Sequence, residues 1–273
     1  MSSIENINND NQNDINKNND NKDEGDTIVF TSTEAFSACL DKIFSLNHDP
    51  MIGIVNLLYN RNFKSAPDIF KWLLFYHKDK SDYIILLALF YHFNIGNDGT
   101  KENEFELFQT AAASKNPFAE YFVGKCFEEG WGNTKKKSSK AVIWFKKSKD
   151  ECLAARYSLA AYYYRKQKFY LAIMELEKAV EKGNVKALHL LGLCFQKGRG
   201  TNINVSKGFE LFMRSAEEGL PEAQCELGRC YEFGTGTTKD LSKALEWFKK
   251  STSNGVDCSA DLGRVRAKIM KQI

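Results

Sequence analysis

The fold is decided by residues 187–255, where ALHLLGLCFQKGRGT (187–201) and KGFELFMRSAEEG (207–219) recur as AQCELGRCYEFGTGT (223–237) and KALEWFKKSTSNG (243–255). The two copies are offset by 36 residues. A period of this size is typical of arrays in which each repeat is one supersecondary unit stacked on its neighbours. We therefore search the rest of the chain for further copies in the same register.

One small residue near the end of the first helix of each unit marks that register. Small residues let two helices approach closely, so we call this column the anchor. An alanine lies five residues before most anchors and an aromatic residue three residues after. The anchor column reads Ala88, Gly124, Ala160, Gly192, Gly228 and Gly263. The pattern predicts an all-α fold, an α/α superhelix or solenoid of antiparallel helix pairs with about five repeats.

A Gly-x-Gly loop follows the first helix in three units, at Gly130, Gly198 and Gly234. Glycine after a helix permits the left-handed conformation that satisfies the last carbonyl groups. A dinucleotide-binding loop would need a preceding strand and a third glycine, so we interpret these loops as structural. The third unit, 153–184, has no glycine loop, and RKQKF joins its helices. We expect a local change of superhelix curvature there.

The two ends of the chain differ from the repeats. Residues 1–30 are rich in Asn and Asp and hold seven acids against two bases, which predicts a disordered tail. Residues 31–80 contain three segments of helical periodicity without the repeat pattern and are predicted to form an N-terminal helical cap. The repeat array is predicted over 81–273, where SADLGRVRAKIMKQI forms a C-terminal capping helix.

Composition restricts the function classes. The formal net charge of +3 is too small for a nucleic-acid-binding signature, and no run of 18 apolar residues predicts a transmembrane helix. Seven cysteines without a CxxC pair favour a reducing compartment, so a cytoplasmic location is the default expectation. Cys126, Cys194 and Cys230 each follow an anchor by two residues, which indicates small apolar residues beside the helix core.

The pattern small-xxx-Leu-Gly-xx-aromatic-xx-Gly-x-Gly, followed by Lys-Ala-xx-Trp-Phe-Lys-Lys, resembles the Sel-one-like repeat, a relative of the tetratricopeptide repeat. The resemblance covers roughly 81–263 and is strongest over 187–219 and 223–255. It implies an adaptor or scaffold that brings other proteins together, and some fungal members place such arrays behind a protein-kinase-like domain. This chain has no HRD, no DFG and no glycine-rich kinase loop, so it is not itself expected to be a kinase.

A candidate binding surface follows from the helical wheel of the first helices. Opposite the alanine, leucine and aromatic columns lie the residues three before, one after and four after the anchor. If first helices line the concave side, as in tetratricopeptide arrays, these positions form a groove with an aromatic centre and charged ends. Packing of the same tyrosines between adjacent units is an equally open alternative. The predicted partner-binding residues are Tyr121, Lys125, Tyr157, Tyr164, His189, Leu193, Arg229 and Glu232.

A second candidate surface is a basic region of seven lysines between 135 and 149, near Arg165, Lys166 and Lys168. It would attract acidic partners, lipid headgroups or nucleic acid, but no stacking aromatics are interspersed as single-strand binding requires. We rank it below the groove.

No enzymatic motif emerges from the chain. The four histidines lie outside metal-ligand spacings, and there is no GxSxG elbow or Walker loop. We therefore predict no catalytic residue, no cofactor, no metal and no small-molecule substrate. The predicted function is a non-enzymatic protein–protein interaction scaffold. The alternative is a regulatory subunit or separated fragment of a kinase-linked signalling protein, with a kinase as partner and residues 31–80 contributing to docking. The sequence leaves the oligomeric state open.

Overall fold

The computed structural model describes residues 81–94 and 104–271, together with Phe70 and Leu74. Within this part the protein has eleven helices and no strand, which confirms the predicted all-α fold. In chain order the helices are α1 (Ser81–His92), α2 (Glu104–Ala113), α3 (Pro117–Glu129), α4 (Ser138–Ser148), α5 (Leu153–Arg165), α6 (Phe169–Glu181), α7 (Val185–Lys197), α8 (Val205–Glu217), α9 (Pro221–Phe233), α10 (Leu241–Ser253) and α11 (Ser259–Met270). The predicted tail (1–30) and all but those two residues of the predicted cap (31–80) lie outside the described residues.

Consecutive helices pack as pairs, and the pairs stack on one another. The pairs are α1 with α2, α3 with α4, α5 with α6, α7 with α8, and α9 with α10. The second helix of each pair also packs on the first helix of the next pair, and α10 packs on α11 in this way. An isolated pair would leave one apolar face open to water, so each unit depends on its neighbours for burial.

The anchor glycines hold the two helices of a pair together. A Cβ atom at Gly124 would lie 2.6 Å from the ring of Phe145, and one at Gly192 would lie 2.7 Å from Phe212. Only glycine permits this approach of a helix backbone to a buried ring. Gly263, which the periodicity also places in the anchor column, differs, because a Cβ atom there would meet nothing within 4 Å. Gly263 lies within α11, but among the described residues the ring contact that the other anchor glycines make is absent there.

The Gly-x-Gly loops end the first helices as predicted. Gly130, Gly198 and Gly234 have left-handed backbone conformations at the C-caps of α3, α7 and α9. The start of the following second helix is capped in two units, where the side chains of Asn204 and Asp240 accept hydrogen bonds from backbone N–H groups. Such caps satisfy donors that have no partner within the helix.

Each loop also covers the start of the second helix in the preceding unit. The Gly132 N–H donates to Glu104 Oε1 (2.9 Å) at the start of α2. A Cβ atom at Gly200 would lie 2.8 Å from Phe169 at the start of α6, and one at Gly236 would lie 2.3 Å from the carbonyl oxygen of Val205 at the start of α8. The third unit has a tight turn after Arg165 instead of this loop, so no such loop covers the start of α4. The predicted change of curvature stays a prediction.

The core runs along the array as three clusters of buried side chains rather than one central ball. Phe90, Phe108, Phe122, Phe145, Phe212 and Phe248 are its largest fully buried rings. The six described cysteines are free and buried. For Cys126, Cys194 and Cys230 this confirms the prediction of small residues in the packed interior.

Candidate partner-binding surface

The first helices of successive units lie beside one another, and polar side chains join them. Arg165 of α5 donates to Glu128 Oε1 of α3 (2.6 Å), and Gln196 of α7 reaches Cys230 Sγ of α9 (3.8 Å). We call the residues three before, one after and four after each anchor the first-helix surface. These contacts join α3 to α5 and α7 to α9, and Glu128 and Gln196 of this surface take part in them.

The eight predicted partner-binding residues differ in exposure. Tyr121 and Glu232 are buried, whereas the other six are partly exposed. The partly exposed residues, in chain order, are Lys125, Tyr157, Tyr164, His189, Leu193 and Arg229. Both open interpretations therefore have physical support, because the same side chains contact the next unit and retain a face toward water.

The tyrosines form the inner part of this surface. Tyr121 contacts the ring of Phe145 (centroids 5.9 Å apart), and burial raises the pKa of its hydroxyl to about 12. Burial likewise raises the pKa of Tyr157 to about 12. Tyr164 pairs with a side chain of the next unit, because the Arg199 guanidinium donates to its hydroxyl and lies 5.2 Å from its ring centroid. Contacts with Phe145 and Arg199 thus hold Tyr121 and Tyr164 in place, as anchors of a binding surface need to be.

Charged residues border the tyrosines at α3. The Lys125 ammonium donates to Glu128 Oε2 (2.8 Å) and to Glu129 Oε1 (3.1 Å) on its own helix. Glu128 also accepts the bond from Arg165, so one carboxylate connects two units. Lys125 is therefore already paired within the chain, and a partner's carboxylate would compete with Glu128 for it.

His189 and Leu193 form the middle of the surface on α7. Burial lowers the pKa of His189 below its ordinary value, although Glu226 and Glu222 act in the opposite direction. The imidazole is consequently neutral at pH 7. Leu193 packs against the clusters on both sides of α7 while remaining partly exposed. This segment offers an apolar contact area with one polar group.

The surface ends at a dense ion-pair network between α9 and α11. Glu232 is fully buried and accepts two bonds from Arg264 and one from Lys268, each at 2.7 Å. Arg229 donates to Asp261 Oδ2 (3.1 Å) and to Glu226 (2.7 Å). Glu232 therefore faces α11 rather than solvent, whereas Arg229 keeps a partly exposed guanidinium.

Sequence reasoning missed a buried cluster at the same joint. The side-chain ligand atoms of Cys225, Cys258 and Asp261 lie within 4.8 Å of one another. Both oxygens of Asp261 already accept bonds from arginines, Arg229 on one and Arg264 on the other. We assign the cluster to the joint between α9 and α11. The equal spacing of Cys225 and Asp261 with the 36-residue period was a signal for their proximity.

The basic region predicted from the sequence adjoins an open cleft beside the loop after α3, and the sequence did not predict this cleft. It has a volume of about 560 Å³ and contains Phe105, Phe127, Lys135, Lys137 and Lys140 in its wall. The signal in the sequence was Lys137, which occupies the position where the sister units have the capping residues Asn204 and Asp240.

The buried thiols are poorly suited to nucleophilic chemistry. Burial raises the pKa of Cys126 to about 12 and that of Cys194 to about 11. The thiolate is the nucleophilic form of cysteine, and at neutral pH these groups remain protonated. Neither side chain has measurable exposure to solvent.

Comparisons with known proteins support the fold of stacked helix pairs. The model of the Sel1 repeat matches residues 117–151, 185–220 and 221–256, which contain the second, fourth and fifth helix pairs. Chitin synthase regulatory factor 3 of Schizosaccharomyces pombe is 30% identical over 133 residues, which is 46% of this chain and 14% of that protein. The chain therefore spans a small part of that relative's length.

Two solved structures share the fold. A Sel1 repeat protein from Oxalobacter formigenes has a TM-score of 0.64 at 24% identity, covering 74% of this chain and 83% of that one. The protective antigen c5321 of uropathogenic Escherichia coli, described as displaying an SLR fold, has a TM-score of 0.60 at 19% identity, covering 88% of this chain and 58% of that one. None of the helices in the described part combines the length and apolar character needed to cross a bilayer. Three segments of the chain thus match the Sel1 repeat within an array of stacked helix pairs.

Proposed function

We propose that this protein is a non-enzymatic interaction scaffold that holds a segment of a partner protein on its first-helix surface. The observation that supports this proposal is the contrast between two sets of positions. The anchor glycines pack on phenylalanine rings in each of the three matched repeats, while the first-helix surface changes residue from unit to unit. A repeated frame with variable exposed positions is how solenoid proteins present a binding surface.

The chemistry of the surface defines the kind of segment it would bind. Tyr157, His189 and Leu193 provide a neutral, partly apolar centre, and Lys125 and Arg229 lie to either side of it. Aromatic and apolar anchors contribute most of the affinity of such interfaces, and flanking charges set orientation. A segment with one or two apolar anchors and acidic residues toward its ends matches this arrangement.

Site-specific cross-linking tests the surface directly. A photoreactive amino acid is placed at Leu193 in one version of the full chain and at Glu246, an exposed residue of α10, in another. Both are expressed in the native cell, and cross-linked peptides are identified by mass spectrometry. We expect a defined partner segment at position 193 and not at 246.

Affinity measurement with the identified segment then separates binding from folding. Tyr157→Ala together with Leu193→Ala should weaken binding by about tenfold or more, because interface anchors are worth at least about 1.4 kcal/mol. Glu246→Gln serves as the matched control and should leave the affinity unchanged. Equal binding by the double variant and the wild-type chain would remove this surface as the site.

A regulatory role is the second candidate, favoured by the relative named as a regulatory factor of chitin synthase. We propose that the array acts as a non-catalytic regulatory subunit, with either a chitin synthase or, as the kinase-linked arrays suggest, a protein kinase as its partner. Co-purification of the tagged full chain distinguishes the two enzymes, and the partner's activity is then assayed with and without the chain. If the partner's activity does not change when the chain is added, the regulatory role is excluded and the scaffold role remains.

A further inference from the structure

Some lysines of the basic run between α3 and α4 have no acidic partner among the described residues. Lys147 pairs with Glu120 (2.6 Å), and Lys149 pairs with Glu175. Within the described residues, by contrast, Lys135, Lys137 and Lys140 form no ion pair. These three lysines belong to the wall of one cleft.

Aromatic side chains give this cleft an apolar side. Phe105 and Phe127 meet edge to face with ring centroids 5.5 Å apart, and both contribute to the wall. The Lys140 ammonium lies 5.1 Å from the centroid of Phe127. Glu106 is the one carboxylate among the residues that form the cleft, so positive charge predominates.

Hydrogen bonds fix the loop that forms the rim. The Thr134 hydroxyl donates to the carbonyl oxygens of Cys126 (2.7 Å) and Trp131 (2.9 Å). The Lys137 N–H donates to the carbonyl oxygen of Phe127 (2.7 Å). A rim held in this way loses little conformational entropy when a ligand binds, which favours affinity.

The third unit leaves the adjoining surface open. In the second, fourth and fifth units a Gly-x-Gly loop covers the start of the preceding second helix, but the tight turn after Arg165 supplies none for α4. Ser138, Ser139 and Lys140 at the start of α4 are exposed. The cleft is therefore continuous with free surface on α4, which gives room for an extended chain.

We propose that this cleft binds an acidic segment of a partner protein, with the carboxylates on Lys135, Lys137 and Lys140 and one apolar side chain against Phe105 and Phe127. Complementarity of charge selects the acidic residues, and the aromatic wall selects a peptide over a purely charged polyanion. The surface is separate from the first-helix surface, so its test does not depend on the outcome there.

Fluorescence anisotropy tests the proposal with the full chain and a short labelled peptide of Asp and Glu residues around one Phe. Lys135→Gln, Lys137→Gln and Lys140→Gln combined should weaken binding by about tenfold, since three exposed charge contacts of about 0.5 kcal/mol each sum to about 1.4 kcal/mol. Lys249→Gln, an exposed lysine of α10, is the matched control and should change nothing. A peptide with Asn and Gln in place of the acids should not bind.

A stabilising variant separates loss of binding from loss of folding. Lys137→Asn introduces the cap residue that the fourth unit has at Asn204, so it should raise the unfolding temperature. The same variant should lower the affinity for the acidic peptide severalfold. Unchanged or tighter peptide binding by this variant would overturn the proposal, as would equal weakening by Lys249→Gln.

Other ligands give distinguishable results. Tighter binding of duplex DNA or of vesicles containing a phosphoinositide than of the acidic peptide would replace the proposed occupant. If Asp23→Asn, Glu24→Gln and Asp26→Asn in the full chain raised the affinity for the peptide severalfold, the chain's own N-terminal segment would be the occupant instead. Absence of peptide binding at low salt would also overturn the proposal.

Discussion

The ring of Phe248 occupies the space that a methyl group on Gly228 would need, with its Cε1 atom 2.7 Å from the position of that Cβ. The same contact recurs at the equivalent glycines of two other repeats. Each of these contacts closes one helix pair, so the glycine and the ring form a single structural element shared by two helices.

Gly228→Ala should therefore destabilise the array by about 1–3 kcal/mol, because the inserted methyl group forces Phe248 to move within a packed core. Gly263→Ala is the matched control, since the Cβ atom meets nothing there and alanine favours a helix by about 0.5–1 kcal/mol. Urea unfolding followed by circular dichroism measures both. A stable Gly228→Ala variant would contradict the role assigned to the anchor.

Gly236 illustrates a second requirement, a positive φ together with a close approach. Its φ is +72°, and a Cβ atom would lie 2.3 Å from the carbonyl oxygen of Val205. Gly236→Ala should cost about 3 kcal/mol, from left-handed strain and the steric contact combined. At Gly255, where φ is +95° and no atom lies within 4 Å, the same change should cost only the strain of about 1–2 kcal/mol. Equal costs at the two positions would show that the loop does not press on the preceding unit.

Glu232 should make the stability of the last joint depend on acid. The hydrogen bonds from Arg264 hold its pKa below the ordinary glutamate value, with burial opposing and Lys268 adding to the effect. A lowered folded-state pKa stabilises the protein above the ordinary value of about 4.3, and this contribution is lost as pH falls toward the lower folded value. Glu232→Gln should lower the free energy of unfolding by about 2 kcal/mol at pH 7. The free energy of unfolding of this variant should also fall less than that of the wild-type chain as the pH is lowered.

Hydrogen exchange of α11 amides, followed from pH 6 to pH 3.5, reports on this joint specifically. The matched control is Glu246→Gln, because Glu246 is exposed and forms no ion pair within the described residues. If α11 lost the same stability with falling pH in Glu232→Gln and in the wild-type chain, another carboxylate would be responsible.

His189 should make the folded chain less stable in mild acid. Burial holds its folded-state pKa below the ordinary value of about 6.5, so the unfolded chain binds the proton first as pH falls. Stability is then full above about pH 6.5 and declines toward the lower folded pKa. His189→Gln, which cannot titrate, should lose this decline below about pH 6.5, as measured by thermal unfolding. A His189 signal that titrates by NMR at or above its ordinary pKa would contradict the prediction.

Much of the helical frame could be predicted because its causes are local and repeat. Gly192 and Gly228 occur in the same pattern with the same aromatic partners, and a 36-residue offset makes a coincidence improbable. The left-handed ends at Gly198 and Gly234 follow from glycine's conformational freedom and its position after an apolar helix.

What could not be predicted depends on the next unit in space. A helical wheel places Glu232 on a polar face, but it does not show that α11 brings Arg264 and Lys268 onto that face and buries the carboxylate. Gly263 fits the periodicity, but no aromatic ring packs against it in the described part of the chain. The cleft at Phe127 combines residues from three helices and a loop, and neither periodicity nor any single motif refers to such a combination.

The tight turn after Arg165 has a mechanical consequence for the whole array. At the other joints between helix pairs a glycine loop packs on the second helix of the unit before it, but between the second and third units the ion pair of Arg165 with Glu128 stands in place of that loop. On the opposite side Arg156 joins Asp150 and Glu175, so that edge remains tied. Under tension applied to the two ends of the array, we expect the second and third units to separate on the loop side before any helix unfolds.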